Sequence, residues 1–227
     1  MRKYASSPGS WILAPDSSPW TPDFACENNS QPTDAKAMSG EPCTPKLTRF
    51  VATIRLLAIS GSLRAASVNT AVLRAAARLA PSRMEIFLYT GLGNLPAFNP
   101  DLDNDPVPDV VQMLRHEIGL ADGLLISSPE YARGVPGSLK NALDWLVSSS
   151  EFPGKPIALI QTSPRAVNAP AQLRLVLSTM SARLIDVASL TLPLLGRSLD
   201  AKEIVADASL AAPLRGALDA FVEAIRK

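Results

Sequence analysis

The residues that decide the fold run from Thr53 to Ala80 and read TIRLLAISGSLRAASVNTAVLRAAARLA. Residues 53–60 form a short run rich in Ile and Leu that ends at Gly61, which is typical of a buried strand. Residues 69–80 are rich in Ala, Leu and Arg and stop before Pro81, which predicts a helix. The stretch therefore predicts a strand, a polar loop and a helix in succession.

The same alternation of strand and helix continues to the C-terminus. Strands are predicted over residues 84–89, 123–128, 155–162 and 183–192, and helices over residues 109–120, 136–147, 168–182 and 207–226. Strands separated by helices in this way predict βαβ units and a parallel sheet that is covered on both faces. Five strands in a chain of this length favour an α/β fold of the flavodoxin-like kind, a doubly wound five-stranded parallel sheet, over a six-stranded dinucleotide fold.

Charge and hydropathy exclude several classes of protein. The chain has 22 Lys and Arg against 21 Asp and Glu, a net charge of +1. A nucleic-acid-binding protein would show a basic excess, and so would a protein held at a membrane by polybasic segments. No apolar run reaches the roughly 18 residues that a membrane-spanning helix needs. We therefore expect a protein that binds neither nucleic acid nor membrane.

Cysteine and histidine are scarce. The only cysteines are Cys26 and Cys43, so there is no disulfide framework, which fits a reducing compartment such as the cytoplasm. The only histidine, His116, lies in a helical pattern, and we expect it to be a solvated helix residue. Two cysteines and one histidine cannot build a zinc cluster, so no metal site is predicted.

The first 49 residues differ from the rest of the chain. They hold seven of the 20 prolines and show neither a helical nor a strand period. Such a segment buries too little apolar surface to offset its ordering entropy. Its apolar stretch WILAP is too short for a signal peptide. The sequence predicts a disordered extension over residues 1–49 and a folded domain over residues 50–227.

The loop after the first strand carries groups that suit a phosphate monoester. It offers three hydroxyls, one amide and one guanidinium, on Ser62, Ser67, Thr70, Asn69 and Arg64. The helix that follows would add unpaired N–H groups and a partial positive charge. The loop matches neither the dinucleotide nor the nucleoside-triphosphate glycine motif. A helix cap beside a solvated Arg remains an equally open interpretation of the same residues.

Two further loops would meet the first one, because the carboxyl ends of parallel strands lie at one edge of a sheet. Residues 127–138 contain Pro129 and Pro136, which stiffen a loop able to aim backbone N–H groups at a flat polar ring, and Tyr131 could add an aromatic face. Residues 161–166 follow the fourth predicted strand. Three polar loops at one edge predict a ligand site there.

Three stretches carry a resemblance to a known family. GSLRAASVN (61–69), LPAFNPDLD (95–103) and PEYARGVPGSLKNALDW (129–145) resemble the NADPH-dependent FMN reductases, which include chromate- and quinone-reducing flavoproteins, azoreductase-like enzymes and ArsH-like proteins. The resemblance runs from about Thr53 to the C-terminus. It implies a flavodoxin-like fold that binds one FMN per subunit and takes NADPH, or NADH, as co-substrate.

The resemblance also implies roles for single residues. Many members carry Asn at the position of Ala132, so this chain lacks that side chain near the ring. Arg133 is a candidate for binding the nicotinamide nucleotide phosphates, with a solvated Arg as the alternative. The implied cofactor-binding residues are Ser62, Leu63, Arg64, Ser67, Asn69 and Thr70 on the phosphate side, Pro129, Glu130, Tyr131 and Ala132 bordering the isoalloxazine ring largely through backbone atoms, and Ser163 near the ring or the ribityl chain.

The implied activity is a hydride transfer from NADPH to bound FMN and onward to a quinone, flavin, azo or metal-oxyanion acceptor. It requires no catalytic side chain, since the chemistry belongs to the flavin. The alternative is a non-enzymatic electron carrier of the flavodoxin type. Such carriers are strongly acidic and lack an Arg in the phosphate loop, so the net charge of +1 and Arg64 favour the reductase. A flavin-free relative is a third alternative. The resemblance further implies a homodimer or homotetramer.

Overall fold

The computed structural model describes residues 53–104, 106–194 and 196–227. The predicted disordered extension over residues 1–49 lies outside the described residues, as do both cysteines. The strands are β1 (Ile54–Ser60), β2 (Met84–Tyr89), β3 (Gly123–Ser127), β4 (Pro156–Gln161), β5 (Arg183–Leu184) and β6 (Leu190–Thr191). The α-helices are α1 (Val68–Leu79), α2 (Asp109–Leu120), α3 (Gly137–Asp144), α4 (Asn168–Thr179), α5 (Ala201–Ala206) and α6 (Ala208–Ile225).

All the strands pair in parallel, in the order β2-β1-β3-β4-β5. Strand β6 also pairs with β4, so β5 and β6 share the fifth position of the sheet. This order is the flavodoxin-like one, and the predicted fold class is confirmed. The strand order reverses at β1, which places the loops after β1, β3 and β4 side by side at the carboxyl edge.

The sheet is buried on both faces. On β1, Leu56 and Ala58 pack into a core with α1 and α6, while Leu57 and Ile59 pack into a second core with α2 and α3. Alternate residues of a strand point to opposite faces, so a continuously apolar strand has helices on both sides of it. These two cores hold the carboxyl ends of the central strands in a fixed arrangement.

Two predicted elements differ from the structure. The strand predicted over residues 183–192 is interrupted by a 3-10 turn at Asp186–Ala188, where the Ser189 hydroxyl accepts the N–H of Leu159 on β4 at 3.0 Å in place of a backbone carbonyl. The helix predicted over residues 207–226 is α6, but α5 precedes it. A capping box between Asp200 and Glu203 starts α5.

Candidate ligand-binding cleft

A cleft of about 770 Å³ opens at the carboxyl edge of the sheet. It is lined by the loops after β1, β3 and β4, as the sequence predicts. Eight of the eleven predicted site residues line it, namely Ser62, Arg64, Ser67, Asn69, Pro129, Glu130, Tyr131 and Ser163. The other three do not: Leu63 is 59% exposed, Thr70 donates through Oγ1 to Ser60 Oγ at 2.8 Å, and Ala132 lies at the tip of a turn.

Asn69 joins three elements beneath the cleft. Its side chain is buried, and its Oδ1 accepts hydrogen bonds from Ser127 Oγ at 3.0 Å and from Thr162 Oγ1 at 3.1 Å. These bonds connect α1 to the ends of β3 and β4. Both acceptor positions of Oδ1 are used, and Nδ2 has no hydrogen-bond partner among the described residues. The Asn69 NH₂ group is therefore available to donate to a ligand in the cleft.

A network of hydroxyls shapes the first loop and the start of α1. Ser67 is the N-cap of α1, and its Oγ accepts from Thr70 N at 3.4 Å. Ser60 Oγ accepts from Ser62 N at 3.3 Å, and Ser62 Oγ accepts from Arg64 N at 3.3 Å. The first N–H groups of a helix have no intrahelical partner and carry a partial positive charge. The loop thus presents hydroxyls and helix N–H groups at one end of the cleft.

The loop after β3 forms a tight hairpin at the rim. Tyr131 and Gly134 exchange backbone hydrogen bonds of 3.1 and 2.9 Å, and Ala132 and Arg133 between them have φ values of 48° and 61°. Two positive φ values in a two-residue turn define type I′, which strongly favours Asn-Gly. The Tyr131 hydroxyl lies 3.5 Å from Ser62 Oγ, so the phenol extends towards the first loop.

Glu130 connects the same loop to α4. Its Oε2 accepts the backbone N–H groups of Asn168 and Ala169, both at 2.9 Å. These bonds, the one from Ala169 foremost, hold the pKa of the Glu130 carboxyl below its ordinary value. The carboxylate is therefore engaged at the N-terminus of α4.

Basic residues dominate the cleft. The basic side chains that line it are those of Arg64, Arg74, Arg78, Arg165, Arg197 and Lys202, against the carboxylates of Glu130 and Asp200. Asp200 Oδ1 accepts the N–H groups of Lys202 and Glu203 at 2.7 and 2.8 Å, so both carboxylates cap helices. A cleft lined mainly by one sign of charge concentrates the potential, and here it attracts anions.

Sequence reasoning missed Arg74, Arg78, Arg197 and Lys202. Arg74 and Arg78 are four residues apart on the helix that follows the first loop, and this spacing indicates that they share one face of the helix. Arg197 and Lys202 reach the cleft only because the chain returns to α1 after β6. Arg133 lies away from the cleft lining, and its carbonyl accepts from Gln172 Nε2 at 3.1 Å.

The remaining predictions concern residues and features apart from the cleft. His116 is exposed on α2, in agreement with a solvated helix residue. Within residues 53–104, 106–194 and 196–227, no group of three His, Cys, Asp or Glu is arranged to hold a metal ion. No helix in the same ranges combines the length and apolarity required to cross a bilayer.

The fold is flavodoxin-like, and a cleft lined mainly by basic side chains opens at the carboxyl edge of its sheet. A model of the NADPH-dependent FMN reductases matches residues 54–195, more than half of the chain. The protein belongs to the NADPH-dependent FMN reductase family, which confirms the resemblance drawn from the sequence.

Named relatives agree with this membership. The chain is 43% identical to a 2-hydroxy-1,4-benzoquinone reductase from a Burkholderia species and 38% identical to a quinone reductase from Escherichia coli K12, over 117 residues in each case. Each match covers 50% of this chain and spans slightly under two thirds of the relative, 63% and 62%.

A solved structure extends the likeness over the whole domain. The flavoenzyme NAD(P)H:(acceptor) oxidoreductase FerB from Paracoccus denitrificans superposes with a TM-score of 0.68 at 33% identity. The match covers 77% of this chain and 98% of that one.

The donor set of the cleft fits FMN. Buried Asn69, at the start of α1, has an NH₂ group without a partner among the described residues, and the Ser62 hydroxyl and the Arg64 side chain of the preceding loop line the same cleft. A terminal phosphate dianion needs donors of these kinds.

Proposed function

We propose that this protein is an NAD(P)H-dependent oxidoreductase that uses bound FMN to pass electrons to a quinone-type acceptor. The observation that carries the proposal is the buried Asn69, whose NH₂ group lacks a described partner at the start of α1 in a basic cleft. Its family supports the flavin, and the names of its relatives support the quinone.

The first loop would bind the phosphate end of FMN. Arg64 supplies a planar set of donors, and Ser62 and Ser67 supply hydroxyls at the α1 N-terminus. Asn69 donates from its NH₂ group while Ser127 and Thr162 hold its oxygen. Hydrogen bonds to a charged phosphate contribute about 1.5–3 kcal/mol each. A few of them suffice to retain the cofactor through a catalytic cycle.

The second and third loops would orient the ring. When bound, FMN supplies hydride acceptance and donation, so the protein has no bond-making step to perform. Pro129 stiffens the backbone beside the ring, and the Tyr131 phenol covers one side of the cleft. The Glu130 carboxylate lines the cleft and accepts the first N–H groups of α4, which hold it in place.

We further propose that electrons reach a small-molecule acceptor, with NADPH or NADH as the donor. A quinone fits best, and flavins, azo compounds and metal oxyanions share the electron-poor character that such chemistry needs. The proposal includes a cytoplasmic homodimer or homotetramer of the domain over residues 50–227, with residues 1–49 as a disordered extension. Exposed apolar residues on α2, namely Val110, Met113 and Leu120, support self-association.

The first test is the visible spectrum of the purified protein before and after addition of NADPH without oxygen. We expect a flavin spectrum that bleaches with NADPH and returns when a simple benzoquinone is added. A flavin spectrum that NADPH and NADH both leave unchanged would show a flavodoxin-type carrier fed by another protein. A protein that takes up no FMN after incubation would contradict the proposal outright. Light scattering of the same sample measures the oligomeric state.

A further inference from the structure

The cleft is longer than the three loops that the proposed function uses. Beyond the start of α1 it continues between the exposed side of that helix and residues 196–202. Arg74 and Arg78 lie four and eight residues after Thr70, which places them about 6 Å and about 12 Å further along the helix axis. This basic extension therefore starts where the phosphate of FMN would end.

Three of the four cations of the extension make no ion pair with a described residue. Arg74, Arg78 and Lys202 make no side-chain hydrogen bond or ion pair with any described residue, whereas Arg197 pairs with Asp207 at 3.2 Å. The nearby carboxylate of Asp200 is engaged by the N–H groups of α5. The charge of Asp200 acts on Arg78 and Lys202 and offsets part of theirs. With Arg74, Arg78, Arg197 and Lys202 in the same wall, the extension still presents an excess of positive charge.

The positions of the two arginines on α1 add to this argument. Like charges four residues apart on a helix face each other and destabilise it by a few tenths of a kcal/mol. No acidic residue occurs anywhere in α1 to relieve that repulsion. An anion held by both guanidinium groups would relieve it. Half-buried Val68 and Leu199 line the same cleft and offer apolar surface on which a base can pack.

We propose that this extension binds the phosphate-bearing adenosine half of a dinucleotide, with Arg74 and Arg78 as its phosphate ligands. The inference rests on the proposed function, because the flavin phosphate at the α1 N-terminus fixes where the extension begins. Two sources share this chemistry: the adenylate of FAD, joined directly to the flavin phosphate, and the adenosine 2′-phosphate of NADPH lying beside bound FMN.

Binding measurements on the full chain separate the two sources. The variant is Arg74→Gln together with Arg78→Gln, and the matched control is Arg215→Gln, on the exposed side of α6 outside the cleft. Flavin-free protein is titrated with FMN and with FAD by fluorescence quenching. FMN-loaded protein is titrated with adenosine 2′,5′-bisphosphate and with AMP by calorimetry.

We expect the double variant to weaken one adenosine ligand about tenfold and to leave FMN unchanged. Loss of FAD affinity would identify FAD as the source, and loss of bisphosphate affinity relative to AMP would identify NADPH. The effect should shrink as salt rises, because exposed charges are screened. Equal affinities of variant and control for FAD and for the bisphosphate would overturn the inference while FMN still binds. A wild-type chain that binds no FMN would overturn the proposed function as well.

Discussion

Asn69 Oδ1 accepts the Ser127 hydroxyl at 3.0 Å, across 58 residues of chain, and this bond fixes α1 to the end of β3. The Thr162 hydroxyl, at the end of β4, donates a second hydrogen bond to the same oxygen. One buried amide thus sets the spacing of all three loops and presents its NH₂ group to the cleft. The geometry of the site therefore depends on the ends of β3 and β4 as well as on the first loop.

Replacing Asn69 should therefore affect stability and FMN binding together. Asn69→Ala leaves the Ser127 and Thr162 hydroxyls buried without their acceptor, which costs about 1–3 kcal/mol. We expect a lower free energy of unfolding in urea and an FMN dissociation constant raised at least tenfold. Asn69→Asp keeps an acceptor for the two hydroxyls but replaces the NH₂ group with a negative charge. We therefore expect its FMN affinity to fall by more than its loss of stability would explain. Wild-type FMN affinity in both variants would contradict the assignment of Asn69 as a donor to FMN.

Arg64 differs from Asn69, because its side chain is exposed and makes no hydrogen bond to a described residue. Arg64→Ala should leave the melting temperature unchanged and raise the FMN dissociation constant about tenfold to a hundredfold. That range corresponds to about 1.4–2.7 kcal/mol, the contribution of one charge-assisted hydrogen bond. Fluorescence titration measures it, with Arg215→Ala as the control. An unchanged FMN affinity would show that Arg64 is only a solvated residue.

The Glu130 cap makes part of the stability dependent on pH. Its folded-state pKa is lowered, mainly by the Ala169 N–H, so the ionised carboxylate is the form that stabilises the fold. This contribution is complete above the unfolded-state pKa of about 4.3 and is lost as the pH falls through the lower folded-state value. We expect Glu130→Gln to be less stable than the wild type at pH 7, with the difference shrinking towards pH 3. Urea unfolding across this range checks the sign, and a difference independent of pH would rule out the cap.

The backbone of the hairpin at the rim of the cleft is strained at Ala132 and Arg133, and substitution can relieve that strain. Ala132 and Arg133 have positive φ values, which cost non-glycine residues roughly 1–2 kcal/mol each. The substitutions Ala132→Asn and Arg133→Gly give the turn its preferred residues. We expect the pair to raise the free energy of unfolding by about 1 kcal/mol, part of the relief being lost to the greater freedom of glycine in the unfolded chain. Ala212→Asn, on the exposed side of α6, should destabilise instead. Destabilisation by the turn substitutions would argue against a type I′ geometry.

Strands β1 to β4, the alternation of strand and helix as far as α4, and the first loop were predictable because their signals are local. A buried strand is a continuous apolar run, and the hydroxyls of Ser62 and Ser67 stand in the same loop as Arg64. The missed features depend on tertiary contacts. The Ser189 hydroxyl takes the place of a strand carbonyl for Leu159 across the sheet, and Glu130 caps a helix that begins 38 residues later. Neither relationship leaves a periodic trace in the sequence.

Gly61 of the first loop lies against Ser128 of the second loop, and it tests how the two loops pack. A Cβ atom there would clash with Ser128 Oγ and lie 2.9 Å from Ser128 Cβ, and Gly61 N donates to Ser127 O at 2.8 Å. Gly61→Ala must push the loops apart, so we expect a loss of about 1–3 kcal/mol in stability, typical of overpacking, and weaker FMN binding. Gly137→Ala is the matched control, because a Cβ at that position meets no atom within 4 Å. Equal behaviour of the two variants in urea unfolding and FMN titration would mean that the loops tolerate separation, and that the cleft does not depend on their contact.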